Sequence, residues 1–197
     1  MDLHQILSTH SRPWSEREIL FFGILLAAGA AFLLAAAGSH RIRKSQAAGM
    51  MAMLVYIVVV LGSTVFTREV SERQCELIPL WSWRAVLSAH DWALLQEILL
   101  NCVMLAPAGL LLPFAAGKRV RLRAGILLGI LLSGAIEVSQ FLFMRGLFEW
   151  DDMLHNTLGC VLGCAVSNAL LAFRESRRAG GPSGRRKKKN REEKKPA

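Results

Sequence analysis

The sequence predicts an all-α membrane protein, a polytopic bundle of about five transmembrane helices with an interfacial amphipathic segment. Three observations predict it. Hydrophobic residues make up 53% of the 197-residue chain, and mean hydropathy is +0.35, above that of ordinary soluble domains. Windows at about 19–38, 47–66, 94–116, 124–144 and 153–173 are each long and apolar enough for a span of roughly 20 residues. The basic residues crowd onto alternate connections between them.

Residues 1–18 are polar and read as an external lead-in, with Trp14 at the interface. The window 19–38 ends in Ala35-Ala36-Ala37, a pattern shared with signal-peptide cleavage sites. Its apolar run is longer than the roughly 7–15 residues of a signal-peptide core. Cleavage would also leave Arg41, Arg43 and Lys44 outside, so the window is read as a span. The window 47–66 is uninterrupted. Connection 67–93 is charged at first and then changes character. Trp83, Val86, Leu87 and Leu94 recur near helical spacing, with Trp81 and Trp92 close by. That pattern fits an amphipathic segment in the outer interface, its tryptophans serving as anchors.

The third window opens with Glu97 and Asn101, four apart and on one helical face. The fourth carries a row of small residues, Gly125, Gly129 and Ser133, which Glu137 continues one turn on, followed by Gln140. Such rows let helix backbones approach closely in lipid. The fifth opens with Asp151, Asp152, His155 and Asn156 and continues on the Asp152 face as Gly159 and Gly163. The rows of the fourth and fifth spans are expected to meet, bringing Glu137 and Gln140 near Asp152 and Asn156. Beyond Phe173, residues 174–197 hold 11 of the 24 Lys and Arg. With Gly180-Gly181-Pro182-Ser183-Gly184 and the run Arg185–Lys189, they read as a disordered basic tail touching anionic lipid rather than nucleic acid.

Orientation follows from charge. Connections 39–46 and 117–123 and the tail carry 18 basic residues, and the opposite side carries 6. The N-terminus is therefore expected outside and the C-terminus in the cytoplasm. The spans 19–173 use the chain so fully that no room remains for a separate soluble domain. Cys75, Cys102, Cys160 and Cys164 form no CxxC or zinc pattern and read as small hydrophobes in helix packing.

A charge in hydrocarbon costs at least ~2.5 kcal/mol, so ionisable residues in spans face protein or water. The candidates collect at the outer end as a polar cup of Arg73, Glu97, Asn101, Glu137, Gln140, Arg145, Asp152 and Asn156, with His155 beside it. Plain hydrogen bonding between helices is the alternative for Asn101, Gln140 and Asn156. Glu137 and Asp152 are the best placed for acid–base chemistry, and Arg73 or Arg145 could pair an anionic group. No HExxH or comparable metal spacing, cofactor motif, P-loop or nucleophile elbow occurs. No metal or cofactor is expected.

Asn101-x5-Pro107-x-Gly109, Glu137-x2-Gln140 and Asp152-x3-Asn156-Thr157-Leu158-Gly159-x3-Gly163 together resemble the VanZ-like family of bacterial membrane proteins. Arg73 and Leu77-x-Pro79 resemble its upstream elements, and the likeness covers about residues 50–172. Departures are Glu76 for a frequent Asn, Leu80 and Leu105 for frequent Phe, and Arg145-x3-Glu149-x2-Asp152, one residue longer than the family's spacing. The family's name comes from a protein linked to teicoplanin resistance, so the resemblance implies a cell-envelope context and no defined reaction. The expected function is binding of an envelope lipid, a peptidoglycan precursor or a glycopeptide-type molecule in the cup. The alternatives are a membrane enzyme acting on a lipid-linked or phospholipid head group and a small transporter.

Reporter fusions after Lys118 and at the C-terminus are expected to read cytoplasmic. An external signal at either overturns the orientation and the outward-facing cup with it.

Overall fold

The computed structural model describes residues 12–180, with side chains through Arg177. Five long helices are apolar and long enough to cross a membrane. They are α1 (Glu16–Gly38), α2 (Lys44–Leu61, extended by a wider π turn over Gly62–Phe66), α4 (Trp92–Ala116), α5 (Leu122–Phe143) and α6 (Trp150–Gly180). The short α3 (Trp81–Ala89) lies in the longest connection, where the amphipathic segment was expected. Two three-residue strands that the sequence did not announce, β1 (Gln74–Glu76) and β2 (Leu147–Glu149), pair in parallel, with Cys75 opposite Phe148. Among the described residues the fold is an all-α bundle with this one small ribbon.

The helices begin two or three residues before the apolar windows because polar caps precede the apolar runs. Ser15 and Glu18 form a reciprocal capping box, with Ser15 Oγ accepting from the Glu18 amide at 3.3 Å and Glu18 Oε2 from the Ser15 amide at 2.8 Å. Asp91 Oδ1 caps α4 by accepting from the Ala93 and Leu94 amides at 3.0 and 3.1 Å. The last part of the expected lead-in is therefore helical from Glu16, and residues 1–11 lie outside the described residues. The expected disordered tail is also shortened, since α6 continues through 174–180. Residues 181–197, with the basic run, lie outside the described residues.

Side-chain contacts mark the two ends of the bundle. At one end the Gln140 amide donates to the Thr64 carbonyl at 3.1 Å, and Arg12 Nη1 donates to the Phe66 carbonyl at 3.0 Å. At the other, Gln46 Nε2 donates to the Ala116 carbonyl at 3.1 Å. There the Asn168 side chain clamps both the amide and the carbonyl of Val120, at 3.1 and 2.8 Å. The first end carries the acidic residues, and the second carries Lys118, Arg119, Arg121 and Arg123.

Close helix contact is made by small residues, but with a different partner than expected. Gly159 and Gly163 of α6 face α4, not α5. A methyl group added at Gly159 would lie 1.7 Å from the Cys102 carbonyl oxygen, and one at Gly163 would lie 2.0 Å from that of Ala106. Gly109 reciprocates, its added methyl falling 1.8 Å from the Cys160 carbonyl oxygen. α4 and α6 thus touch backbone to backbone. α5 reaches α6 on an adjoining face, where Gly129 sits against Thr157 and Cys160 and Gly125 against Cys164. Between these contacts Val60, Leu105, Ile136 and Cys160 form an apolar core with Tyr56, Met104 and Leu132 packed against it. The Tyr56 hydroxyl donates to the Met104 carbonyl, next to the carbonyl of Val103 that Pro107 leaves without its usual helical amide. α1 is the peripheral helix, burying only Phe22 and Leu33.

Gly159→Ala and Gly163→Ala are each expected to lower the detergent melting temperature, since overpacking against backbone costs about 1–3 kcal/mol. Gly23→Ala, with nothing within 4 Å of the added methyl, is expected to be neutral or slightly stabilising. Equal melting of all three proteins would refute this packing.

Candidate functional site

The first two turns of α6 present two faces, and each has its own role. Asp151 and His155, one turn apart, face α3. Asp152 and Asn156 face α4 and α5.

Asp151 is fully buried. Its Oδ1 accepts from the Leu80 amide at 2.5 Å, and its Oδ2 accepts from the Ser82 amide at 3.0 Å and the Ser82 hydroxyl at 2.5 Å. A carboxylate from α6 thereby caps the N-terminus of α3 from outside its own segment, where the helix dipole favours an anion. It also holds Leu80 in a left-handed conformation at φ 59°, costly for a residue with a Cβ. One turn on, Trp83 Nε1 donates to His155 Nε2 at 2.9 Å. Trp83 was expected as an interfacial anchor, but it also latches α3 onto α6.

On the other face Asn101 Nδ2 donates to Asp152 Oδ1 at 2.5 Å. One turn deeper, Asn156 Nδ2 donates to Ser133 Oγ at 2.9 Å. Glu137 stands one turn above Ser133 and is 1% exposed. Its Oε2 accepts from the Glu149 backbone amide at 2.9 Å, which ties the β2 ribbon down onto α5. Glu97 and Asp152 lie within electrostatic range of Glu149, and Arg68 lies within range of both Glu137 and Asp152. The result is a cluster of four carboxyl groups, Glu97, Glu137, Glu149 and Asp152, and one guanidinium.

Five of the sequence candidates come together here: Glu97, Asn101, Glu137, Asp152 and Asn156. Gln140 is buried close by, but its side chain turns away to the Thr64 carbonyl of α2. Arg145 is placed elsewhere. Its Nη1 lies 3.7 Å from Glu18 Oε1 and donates to the Phe66 carbonyl at 3.2 Å, tying the end of α5 to the start of α1. Arg73 is exposed, with its guanidinium 5.7 Å from the centre of the Phe141 ring. The cation at the cup is instead Arg68. It was legible as the first basic residue after the second span, closer to the bundle than Arg73 and at the acidic end. It is packed against the Gly146 turn, where an added methyl would lie 2.9 Å from Arg68 Nη1.

Arg68 closes no ion pair. Among the described residues the ion pairs are Arg12–Glu18, Arg119–Glu175 and Arg145–Glu18, and Arg68 Nε is buried without a hydrogen-bond partner. Asn156 Oδ1 and His155 Nδ1 are likewise buried and unpartnered. Among the described residues no group of three or more His, Cys, Asp or Glu is arranged to hold a metal ion.

Glu149 lies in β2, outside the spans, and burial pushes its carboxyl up to about 7, with the charges of Asp152, Glu97 and Asp151 adding to the effect.

A family model described as VanZ/LLP1 matches residues 48–171. The match runs from the start of α2 almost to the end of the apolar part of α6 and covers well over half of the chain. The chain therefore belongs to the VanZ/LLP1 family, and its five apolar helices make it a multi-pass membrane protein. No curated protein and no solved structure matches it.

The Glu149 environment sets a pH dependence. The native state retains the proton between 4.5, the ordinary glutamate value, and about 7, while the unfolded chain has lost it. That contribution to stability is complete below 4.5 and is lost as pH rises through about 7. Glu149→Gln is expected to melt like the wild type at acid pH and above it at alkaline pH. The expected gap is about 1 kcal/mol once solvent screening of a half-buried group is allowed for. A gap of the opposite sign would refute the buried, acid-crowded setting of Glu149.

Proposed function

We propose that this VanZ/LLP1 membrane protein is a binding protein of the cell envelope. Its polar cup opens to the outside and takes the head group of an envelope lipid, a lipid-linked peptidoglycan precursor or a glycopeptide-type molecule. The observation that carries this reading is the unclosed charge arrangement. Four carboxylates and one guanidinium share a half-buried site, and Arg68 is within electrostatic range of Glu137 and Asp152 without an ion pair to either. A buried acid can stay protonated, but the Arg68 guanidinium cannot shed its charge, and an anionic ligand group would offset the cost of leaving it unpaired.

Two features favour binding over the other classes. An enzyme needs two titratable groups poised at one reacting atom. Here His155 is engaged by Trp83 on the α3 face, away from Glu137. A transporter needs a polar route through the bundle. Around and below Ser133 and Asn156 the interior is apolar, lined by Leu105, Ile136 and Cys160 and closed by the glycine contacts of α4, α5 and α6.

Mass-spectrometric analysis of lipids that co-purify with the full chain tests the proposal. The wild type is expected to retain a specific amphiphile that Glu137→Gln loses, with membrane level and melting close to wild type. A retained head group that is chemically altered by the wild type and not by the variant would make the protein an enzyme. Equal loss of expression in Glu137→Gln and Glu137→Ala would make Glu137 a packing residue and overturn the binding role.

A further inference from the structure

We infer that the head group recognised by the cup is zwitterionic, with a primary ammonium held among Glu137, Glu149 and Asp152 and an anionic phosphate or carboxylate held by Arg68. This rests on the binding role proposed above and names the ligand's charge class.

The acids outnumber the base. Glu137 and Asp152 each take one protein hydrogen bond, from the Glu149 amide and from Asn101. A carboxylate has about four acceptor positions, so most of their capacity is left for a donor-rich cation. A cation favours the ionised form of these groups and so gains a charge-assisted bond on binding, whereas a purely anionic head group gains none from them.

A second observation points the same way. Asn156 is 1% exposed and bonded through Nδ2 to Ser133, which lies one turn below Glu137 on α5. Its Oδ1 has no donor. A primary ammonium has three N–H groups and can address an amide oxygen below and carboxylates to the sides, which a quaternary ammonium cannot. Arg68 supplies the opposite pole. Its Nε is buried without a partner, a donor that an oxyanion could satisfy where Arg68 packs beside the Gly146 turn. Asn101 and Glu97, both on α4, complete the wall on the Asp152 side.

The test uses the full chain purified in detergent, with saturable binding read by native mass spectrometry. The probes are phosphatidylethanolamine, phosphatidylcholine, phosphatidylglycerol and N-acetyl phosphatidylethanolamine with identical acyl chains, and sphingosine as an amine without a phosphate. Phosphatidylethanolamine is expected to bind at least about tenfold more tightly than the other three phospholipids, as charge-assisted hydrogen bonds to a primary amine require. Glu137→Gln is expected to abolish that preference. Arg68→Gln is expected to weaken phosphatidylethanolamine by about tenfold and leave sphingosine unchanged. Equal binding of phosphatidylglycerol or of the N-acetyl lipid in the wild type would overturn the charge class while leaving the binding role standing. No saturable binding of any probe would overturn the charge class, and the co-purification analysis above would then decide the binding role on its own. The wild-type comparison among probes holds even if a variant fails to fold.

Discussion

The site depends on how closely α6 lies against α4. The two helices run in the same direction and meet where Gly109, Gly159 and Gly163 remove every side-chain atom between the backbones. Such contact allows little sliding, because any shift drives a Cβ or a carbonyl into the facing helix. The register carries upward to the cup. Asn101 stands to Asp152 as Gly109 stands to Cys160, eight residues along on both helices. The hydrogen bond at the rim is thus set by dry packing about two turns below it.

α5 shows how one helical face serves both regimes. Gly125 and Gly129 bring it against α6, Ser133 takes the Asn156 amide, and Glu137 emerges one turn higher. The change from methyl-sized to polar residues along this row marks the depth at which hydrocarbon-like packing gives way to a cup. Through the span below that level the helices satisfy nearly all of their own backbone groups. At the two ends, side chains carry hydrogen bonds between segments. β2 exploits this, since its Glu149 amide is bonded by a buried side chain instead of by water.

Helix number, approximate ends and the grouping of Glu97, Asn101, Glu137, Asp152 and Asn156 were all legible in the sequence. Length, hydropathy and i, i+4 spacing are local properties, and a bilayer rewards them directly. The facing of the α6 glycine row was not legible. A small-residue row says that something packs closely, without saying which neighbour does. The arginines were misassigned for a related reason. Arg73 and Arg145 were selected by their place in a motif, yet position in space decides electrostatics. Arg145 is drawn to Glu18 of α1, which no pattern within residues 48–171 could reveal. Arg68 follows the π turn that ends α2, and a wider turn rotates the residues beyond it relative to a regular helix. The pairing of α3 with Asp151 and His155 was hidden too, because it joins residues about seventy positions apart.

Adjacent acids at the start of α6 separate structural from binding chemistry. Asp151 accepts three protein hydrogen bonds at 2.5–3.0 Å and is fully buried. It is spent on holding α3 in place, and a ligand could take it only by unmaking the latch. Asp152, the next residue, accepts one such bond, from Asn101. Glu137 accepts one as well, though it is as buried as a core residue. Donor count against acceptor capacity thus sorts residues that burial alone would group together. A division of roles follows from that sorting. Asp151 and His155 dock α3 and shape the wall, the glycine contacts fix the height, and Glu137, Asp152 and Glu149 are left as carboxylates with capacity to spare beside an unpaired Arg68.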